Sequence, residues 1–570
     1  MMTGVLLAAV TAFSFGEVKV ECEKPGDWSI SSCRTEIGKG VETLRLVLDS
    51  PTASVPPKLT VSWTVPQVDI QYLWSVNDPS CSLRPNWGGW KCSALSYNMP
   101  LYVYFNSNDR SRFAVAASEC AHHLSFCGGV REEGSLVESQ FVYFDSPEAP
   151  MSHYETEIRF DTRDLFFGDA VREGTAWMEK SAGYVPCVAP ESAFEPLYST
   201  WYDFHQDVRA DDIEAECALA AELGMKVIIL DDGWQTDDTA RGYAYCGDWN
   251  VSTNRFPDFA AHVAMVQATG LKYMVWYSVP FVGFKSVNYP RFKGRYLRED
   301  RNHQAAVLDP RFPEVRKFLV DTYVDAVKEA GLDGLKLDFI NSFSFDGEDP
   351  AVKEDYAGRD VKSVPLAVDR LMTEIRAALV ALDPEILIEF RQPYNGPAIR
   401  TYGNMLRVGD CPGDMRQNRI SIANMRLASG ASAVHADMLE WNFKDTPASA
   451  ARNVINSIFG VVQYSVMLRE APAAHREMIA KWIRFSQDHR ETLLKGAFRP
   501  HHPELMYPVI EAESGQELVI GVYDDGRVID VPSDKKTFLL NATGKDSLVI
   551  RRGGRLSEIA CPSGEWIEVK

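Results

Sequence analysis

The chain has 570 residues, 45% hydrophobic and 24% charged, which predicts a soluble protein of several domains. Its formal net charge of -20 argues against a nucleic acid or an anionic membrane as partner, because both attract clustered Lys and Arg. Its 11 cysteines form no metal-binding spacing, so free thiols in the cytoplasm are expected. Export is the alternative, and a Cys81–Cys92 or Cys120–Cys127 disulfide is expected only in that case.

The N-terminal part of the chain is predicted to be all-β. Residues 1–13 are apolar but carry no Lys or Arg before the apolar run, so we interpret them as a first strand rather than a signal peptide. Alternating runs at 18–22, 43–48, 59–63 and 101–105 follow, separated by Pro, Gly, Asn and Asp. Helical periodicity is nearly absent. We therefore predict an N-terminal β-sandwich over residues 1–190, with a linker at 186–196.

Strands and helices alternate after residue 196. A typical helix has apolar residues at helical spacing from Val315 to Ala330, Pro313 near its start and Gly331 just past its end. Another is predicted to begin with a capping box of Asp211 and Glu214. This alternation predicts a (β/α)₈ barrel over residues 191–492, closed by a helix near 473–490. The eight predicted strands are 197–202, 226–231, 271–278, 334–338, 385–390, 404–408, 432–435 and 462–465.

Short β runs return near the C-terminus, at 517–523, 536–540 and 547–551. They predict a C-terminal antiparallel β-sandwich over residues 493–570. The expected fold class is therefore multidomain: two all-β regions around an α/β barrel.

Polar and aromatic side chains stand at the outgoing ends of the predicted barrel strands. Active sites of α/β barrels lie at this end of the barrel, so we expect these side chains to face one pocket. They are Trp201, Asp231, Asp232, Trp234, Trp276, Lys336, Asp338, Arg391, Gln392, Arg407, Asp410, His435 and Asp437.

Two carboxyl groups in one pocket suit the cleavage of a glycosidic bond. One, ionised, attacks the anomeric carbon, and the other, protonated, donates to the leaving oxygen. Lys336 lies two residues before Asp338 and therefore on the same strand face, where its charge would keep Asp338 ionised. The adjacent Asp231 and Asp232 suit the binding of vicinal hydroxyls, and Trp faces suit sugar rings.

Each of these residues also has an ordinary structural interpretation. A single Asp at a strand end can cap the next helix, and Asp231–Asp232 can form a turn. Trp276 can be barrel packing, and Arg407 an ion-pair partner. His435 is interpreted as a hydrogen-bonded neighbour of the site rather than a metal ligand. The pairs at 122–123 and 501–502 are interpreted as solvated loop histidines.

Four segments carry a resemblance to the retaining α-galactosidases of glycoside hydrolase family 36 and their clan relatives in family 27. They are residues 231–234 (Asp-Asp-Gly-Trp), 307–316, 335–338 (Leu-Lys-Leu-Asp) and 407–410 (Arg-Val-Gly-Asp). The resemblance covers roughly residues 195–465. It implies Asp338 as nucleophile and Asp410 as acid/base, and it implies the same order of domains.

The chain departs from the family pattern at two places. Many family members have a Cys-Ser-Ser-Gly-Gly-Gly-like loop where this chain has Glu-Phe-Arg-Gln-Pro-Tyr-Asn-Gly at 389–396. The resemblance places that loop near the 2-position of the sugar, so Arg391 and Gln392 leave the exact substrate open. Asp414 lies four residues after Asp410 and is a rival for the acid/base.

The leading hypothesis is an exo-acting retaining α-glycosidase, most consistent with an α-galactosidase acting on an oligosaccharide or glycoside. No metal or organic cofactor is expected, and a homo-oligomer is left open. The alternatives are a related α-glycosidase (α-N-acetylgalactosaminidase, β-L-arabinopyranosidase or α-glucosidase), a raffinose-synthase-like transglycosylase, a carbohydrate-binding pseudoenzyme, and a metal-dependent hydrolase. The last would use Asp231, Asp232, His435 and Asp437.

Overall fold

The computed structural model describes residues 6–391 and 393–569. In it, two antiparallel six-stranded sheets precede the barrel, with strand orders β1-β2-β5-β11-β10-β7 and β3-β4-β12-β9-β8-β6. The strands are β1 (Leu6–Phe13), β2 (Gly16–Glu23), β3 (Ser29–Gly38), β4 (Val41–Ser54), β5 (Leu59–Pro66), β6 (Tyr72–Trp74), β7 (Lys91–Ser93), β8 (Leu101–Phe105), β9 (Ser111–Ala117), β10 (Leu124–Arg131), β11 (Leu136–Tyr143) and β12 (Met151–Asp161).

Apolar side chains at alternate positions along these strands form the core between the two sheets. Val18 and Val20 of β2 and Leu44 and Leu46 of β4 are at most 3% exposed and belong to one apolar cluster. Trp63 of β5 joins that cluster. The N-terminal sandwich and the first strand are thereby confirmed for the described residues.

A 16-residue helix, α1 (Phe167–Ala182), corrects the all-β prediction for the first 190 residues. Its buried positions include Phe167, Ala170, Val171 and Met178, the spacing of a helix with one apolar face. That face packs against β8 and β9. The pattern is present in the sequence, but it follows a long series of β runs.

Eight parallel strands form the central barrel, in the order β22-β21-β20-β19-β15-β14-β13-β23. Parallel bridges from His435 to Val461 and from Leu439 to Tyr464 close the ring. All eight predicted strands are confirmed, within a few residues at each end. They are β13 (Leu197–Ser199), β14 (Val227–Leu230), β15 (Lys272–Ser278), β19 (Gly334–Asp338), β20 (Leu387–Arg391), β21 (Met405–Arg407), β22 (Ala433–His435) and β23 (Gln463–Tyr464).

Helices surround the barrel, and the predicted closing helix is α11. They are α2 (Trp201–Phe204), α3 (Ala210–Leu223), α4 (Phe259–Gln267), α5 (Asn288–Arg291), α6 (Pro313–Ala330), α7 (Val364–Leu382), α8 (Ile399–Tyr402), α9 (Met415–Ala428), α10 (Pro447–Ser457) and α11 (Ala473–Asp488). A small antiparallel sheet that we did not predict follows β15. It contains β16 (Phe281–Gly283), β17 (Tyr296–Asp300) and β18 (Ala305–Leu308).

The helix termini test two predictions. Gly331 ends α6 in the left-handed conformation, as predicted. The capping box at the start of α3 is wrong: the N-cap is Arg209, and no side chain caps it. Glu214 instead binds the ring of His262, with an oxygen–nitrogen distance of 2.8 Å.

The barrel interior sets the direction of the functional side chains. Val227 and Ile229 of β14 point into an apolar layer with Met274 of the adjacent β15 and Leu387 of β20. Two residues further along the same face of β14 is Asp231. Apolar side chains therefore fill the barrel at the N-terminal ends of its strands, and polar side chains lie at the C-terminal ends.

Two sheets follow the barrel, with orders β24-β25-β26-β28-β31 and β27-β29-β30. They are mostly antiparallel but include two parallel pairs, β26 with β28 and β27 with β29. Their strands are β24 (Ala497–His501), β25 (Val509–Ser514), β26 (Glu517–Val522), β27 (Val528–Asp530), β28 (Lys536–Asn541), β29 (Ser547–Arg552), β30 (Arg555–Ala560) and β31 (Glu565–Val569).

All 11 cysteines are free thiols, so neither Cys81–Cys92 nor Cys120–Cys127 is bonded. None of the helices within 6–391 and 393–569 combines the length and apolar composition that crossing a bilayer requires.

Candidate active site

Side chains at the C-terminal ends of the barrel strands converge on one pocket. It is a small pocket that is partly open to solvent. Nine of its lining residues were predicted from the sequence, and Tyr243 and Phe339 were not. The predicted nine are Trp201, Asp231, Asp232, Trp276, Lys336, Asp338, Arg391, Arg407 and Asp410.

Asp338 is the most constrained acid of the pocket. Its carboxylate accepts hydrogen bonds from the Phe339 backbone N–H (2.7 Å), Arg391 Nε (3.0 Å) and Trp276 Nε1 (3.2 Å). Burial alone would raise its pKa, but the charges of Arg391 and Lys336 outweigh burial and hold the pKa below its ordinary value. Asp338 is therefore ionised in the resting protein.

Lys336 does not touch Asp338 directly. Its ammonium binds Asp231 Oδ2 at 2.5 Å, and both side chains are at most 4% exposed. Asp231 is held further by its backbone N–H, which donates to Thr200 Oγ1. This buried ion pair fixes the direction of both groups, because a lone charge at either position would carry a large desolvation penalty.

Asp232 lies beside this pair and is held by two amides. Gln206 Nε2 and Gln235 Nε2 donate to its two carboxylate oxygens, each at 2.6 Å. Burial raises the pKa of Asp232 to about 7, helped by the charge of Asp231. Since both oxygens already have amide partners, Asp232 is oriented as a hydrogen-bond acceptor at the pocket wall.

Arg391 bridges the two acids that the sequence singled out. Its Nε lies 3.0 Å from Asp338 Oδ1, and its Nη1 lies 3.9 Å from Asp410 Oδ2. Arg407 Nη2 donates to Asp410 Oδ1 at 2.8 Å. Burial tends to raise the pKa of Asp410, but Arg407 and Arg391 lower it to about 2. The side chain of Asp410 is 46% exposed, so the loosely held Oδ2 is open to solvent.

Arg407 forms the base of the pocket. It is 1% exposed and also pairs with Asp437, which accepts from the Cys411 backbone N–H and Tyr202 O–H. Glu389 lies 4.0 Å from Arg407 Nε, with Gln463 Nε2 bound to its other oxygen. Below the lining residues the barrel is thus closed by a packed ionic network.

Some predicted site residues lie elsewhere. Trp234 does not line the pocket: it is 2% exposed, donates to the Trp276 carbonyl and stacks on Trp249, so it supports the wall from behind. Gln392 lies outside the described residues. Asp414 is the N-cap of α9 and accepts from the Gln417 backbone N–H at 2.9 Å, so it is not beside Asp410 in the pocket.

The geometry gives no support to a metal site at Asp231, Asp232, His435 and Asp437. His435 Nε2 donates to the Ala193 carbonyl at 2.8 Å, and Nδ1 lies 3.3 Å from Gln463 Nε2. Burial lowers the pKa of His435 to about 3, so the ring is neutral. Both ring nitrogens therefore have protein partners, consistent with the predicted role as a hydrogen-bonded neighbour.

Three residues of the site were missed by sequence reasoning. Tyr243 comes from the loop after β14 and stacks on Trp276. Phe339 follows Asp338 with a φ of 63°, and the Arg391 guanidinium lies over its ring. Tyr394 O–H donates to Asp338 Oδ1 at 3.3 Å. No periodic pattern marks Tyr243 or Tyr394, but Phe339 adjoins the predicted nucleophile.

The fold and site define a class: an α/β barrel with a carboxylate pocket at the C-terminal ends of its strands, set between two β regions. The family described as Melibiase matches residues 193–496, more than half of the chain, and the chain belongs to that family.

Several proteins of known sequence or structure are similar to this chain. Alpha-galactosidase C of Emericella nidulans is 28% identical over 160 residues, covering 25% of this chain and 21% of that protein. Alpha-galactosidase AgaA of Geobacillus stearothermophilus is 22% identical over 323 residues, covering 53% and 42%. The aligned region thus spans less than half of these curated relatives.

Solved structures confirm the fold. AgaB, a GH36 alpha-galactosidase of Geobacillus stearothermophilus, has a TM-score of 0.66 at 15% identity, covering 100% of this chain and 85% of AgaB. The structure of AgaA has a TM-score of 0.65 at 16% identity, covering 99% and 82%.

Proposed function

We propose that this protein is a glycoside hydrolase, an exo-acting retaining α-galactosidase. The observation that supports it most is that Asp338 and Asp410, 72 positions apart in the sequence, line one pocket and are bridged by Arg391. Double displacement at an anomeric carbon needs two carboxyl groups on one pocket, roughly 5–5.5 Å apart.

In the first step, Asp338 attacks the anomeric carbon while the bond to the aglycone oxygen breaks. The ionised state of Asp338, maintained by Arg391 and Lys336, supplies the electron pair. Asp410 donates its proton to the departing oxygen. In the second step, Asp410 takes a proton from water, whose oxygen replaces Asp338 at the carbon, so two inversions retain the configuration.

The acid role requires a proton that Asp410 does not hold at rest, since its pKa is about 2. A sugar placed between the two acids would separate Arg391 from Asp410 Oδ2 and exclude water from the carboxyl group. Both changes raise the pKa of an acid. We therefore propose that substrate binding and the protonation of Asp410 are coupled.

The walls of the pocket would hold a terminal sugar. Asp231 and Asp232 offer adjacent acceptor oxygens, Lys336 and Arg407 offer donors, and Trp201 and Trp276 offer flat apolar faces. Because the ionic network of Arg407, Asp437 and Glu389 closes the base, only a chain end would fit. This favours exo-action.

The choice of galactose rests on the relatives. Several are named alpha-galactosidases, and a variant of AgaA was crystallised with 1-deoxygalactonojirimycin and another with raffinose. We propose that this chain acts on α-galactosides of the same kind.

A panel of aryl α-glycosides tests the proposal: galactoside, N-acetylgalactosaminide, glucoside and the β-L-arabinopyranoside, assayed with wild type and Asp338→Ala. We expect turnover of the galactoside by wild type and a loss of several orders of magnitude in kcat with Asp338→Ala. Turnover of another glycoside in preference to the galactoside would correct the substrate. No turnover of any of them by folded wild type would contradict the hydrolase proposal.

A further inference from the structure

A second group of ligand-type side chains lies outside the barrel pocket. One carboxylate oxygen each from Asp109 and Glu504 and one ring nitrogen of His502 lie within 4.8 Å of one another. Asp109 is in the turn between β8 and β9, whereas His502 and Glu504 directly follow β24. The cluster therefore connects the N-terminal sheets to the first strand after the barrel.

The spacing of these atoms fits the edges of a small coordination polyhedron. His502 Nδ1 lies 3.2 Å from Glu504 Oε1 and 3.7 Å from Asp109 Oδ1. Ligand atoms bound tetrahedrally to zinc at 2.0–2.2 Å are roughly 3.3–3.6 Å apart. The two distances from His502 are within a few tenths of an ångström of that spacing, and all three ligand atoms lie within 4.8 Å of one another.

Glu504 provides an independent indication of a ligand. Its side chain is only 7% exposed, and its second oxygen, Oε2, is buried without a hydrogen-bond partner among the described residues. The side chain of Asp109 is likewise only 8% exposed. Burying a carboxylate oxygen without a donor is costly, and a cation bound by Oε2, or by both oxygens of Glu504, would remove that cost.

His501 supports the cluster from one side. Its Nδ1 lies 3.2 Å from Asp109 Oδ2, the oxygen turned away from His502, and its Nε2 lies 3.6 Å from Glu511. Such hydrogen bonds to a ligating carboxylate are the usual way in which metal sites orient their ligands. The cluster retains negative charge even when both histidine rings are protonated, because it has three carboxylates: Asp109, Glu504 and Glu511.

We propose that Asp109, His502 and Glu504 bind one divalent transition-metal ion of the zinc type, with water completing its coordination. One nitrogen and two oxygens, without a thiolate, suit Zn²⁺, Mn²⁺ or Co²⁺. The ion would clamp the β8–β9 turn to the segment after β24. None of the three residues lines the barrel pocket, so the ion would be structural and would add no step to glycoside cleavage.

The test is a titration of the full chain, treated with a chelator and dialysed, with Zn²⁺ by calorimetry and with Co²⁺ by visible absorption. We expect one equivalent to bind and to raise the midpoint of thermal unfolding. Glu504→Gln and Asp109→Asn keep the side-chain shapes, and Asn tolerates the positive φ of Asp109. Each should weaken binding at least about tenfold.

The matched control is His153→Gln, which removes one histidine from the exposed pair with Asp49 and should leave affinity unchanged. Circular dichroism with chelator present would establish that each variant is folded. Absence of saturable binding to wild type, equal affinity of wild type and both carboxylate variants, or a cobalt–thiolate charge-transfer band would overturn the proposal. The last result would place the ion on a cysteine.

Discussion

At the scale of single residues, Asp410 and Asp414 can be separated by experiment. Asp410 lines the pocket, while Asp414 caps α9. We expect Asp410→Ala to lose about 10²–10⁴-fold in kcat/KM on a substrate with a poor leaving group, such as raffinose. The loss should be much smaller on a 4-nitrophenyl glycoside, because that leaving group needs little protonation.

Asp414→Ala is the matched control. Losing an N-cap should lower the free energy of unfolding by about 1 kcal/mol and leave kcat/KM unchanged on both substrates. If Asp414→Ala showed the dependence on leaving group and Asp410→Ala did not, the assignment of the acid would be reversed.

Arg391 illustrates what the sequence could and could not predict at this scale. Its position at the end of a predicted strand led us to expect it at the pocket, and it lies among the lining residues. Its contacts with both Asp338 and Asp410 depend on the relative positions of β20 and the β21–α9 loop, which no local pattern encodes. Trp234 shows the opposite case, since a strand-end position did not bring its side chain into the pocket.

At the scale of elements, the turn after β14 is fixed by a close approach of two backbones. Gly233 has a φ of +123°, and a Cβ at this position would lie 2.6 Å from the backbone of Gln206. Gln206 in turn orients Asp232 through its amide. A side chain here must therefore move either the turn or the residue that holds the acid.

We expect Gly233→Ala to lower kcat/KM by about 10²-fold, because displacement of a binding group by about 1 Å has effects of that size. Steady-state kinetics on the preferred aryl glycoside would measure it. Gly331→Ala is the control: Gly331 ends α6 at a φ of +68°, with nothing within 4 Å of the added carbon. It should lower stability by about 1 kcal/mol and leave kcat/KM at the wild-type value. Equal kinetic effects of both variants would contradict a specific role for the turn.

The strands and helices of the barrel were predictable because the apolar positions that become buried recur in the sequence at strand or helix spacing. Strands such as β14 and β15 are short, buried and mostly apolar, and helices such as α6 begin with Pro and end with Gly. The sheet of β16, β17 and β18 was missed because it interrupts the alternation of strand and helix. Helix α1 was missed because the β runs that precede it led to an all-β prediction for the whole N-terminal region.

At the scale of the whole molecule, the order of the regions was evident from the sequence, whereas the contacts that join them were not. Trp74 of β6 donates to Asn424 of α9, and Tyr507 beyond β24 donates to the same oxygen. These three residues come from three regions of the chain, and a single sequence contains no signal for such pairing. The histidines interpreted as solvated are also engaged: His122 binds Glu119, and His501 binds Asp109.

Buried histidine–carboxylate pairs of this kind determine how stability depends on pH. Glu119 accepts from the backbone N–H groups of Ala121 and His122, from Tyr154 O–H and from the His122 ring. Burial opposes its charge, but the His122 charge and these hydrogen bonds lower the pKa of Glu119 to about 2. Burial opposes the charge of His122 too, yet Glu119, with a smaller effect of Glu148, raises the pKa of His122 to about 9.

The pKa shifts of Glu119 and His122 define the pH range in which the pair stabilises the fold. The ordinary pKa of a Glu is 4.5. The low pKa of Glu119 contributes stability that is fully present above pH 4.5 and is lost as the pH falls toward 2. The ordinary pKa of a His is 6.5. The high pKa of His122 contributes stability that is fully present below pH 6.5 and is lost as the pH rises through 9. The pair therefore stabilises the fold fully only between about pH 4.5 and 6.5.

We expect His122→Gln to lower the free energy of unfolding by about 3 kcal/mol at pH 5.5, because it leaves a buried carboxylate without its partner charge. At pH 9.5 the wild-type ring is largely neutral, so the difference between wild type and variant should shrink to a fraction of that value. Urea denaturation at both pH values would measure it. His153→Gln, from an exposed pair, should change stability by less than about 0.5 kcal/mol at either pH. A difference for His122→Gln that stayed constant between pH 5.5 and 9.5 would show that the ring contributes through packing rather than through its charge.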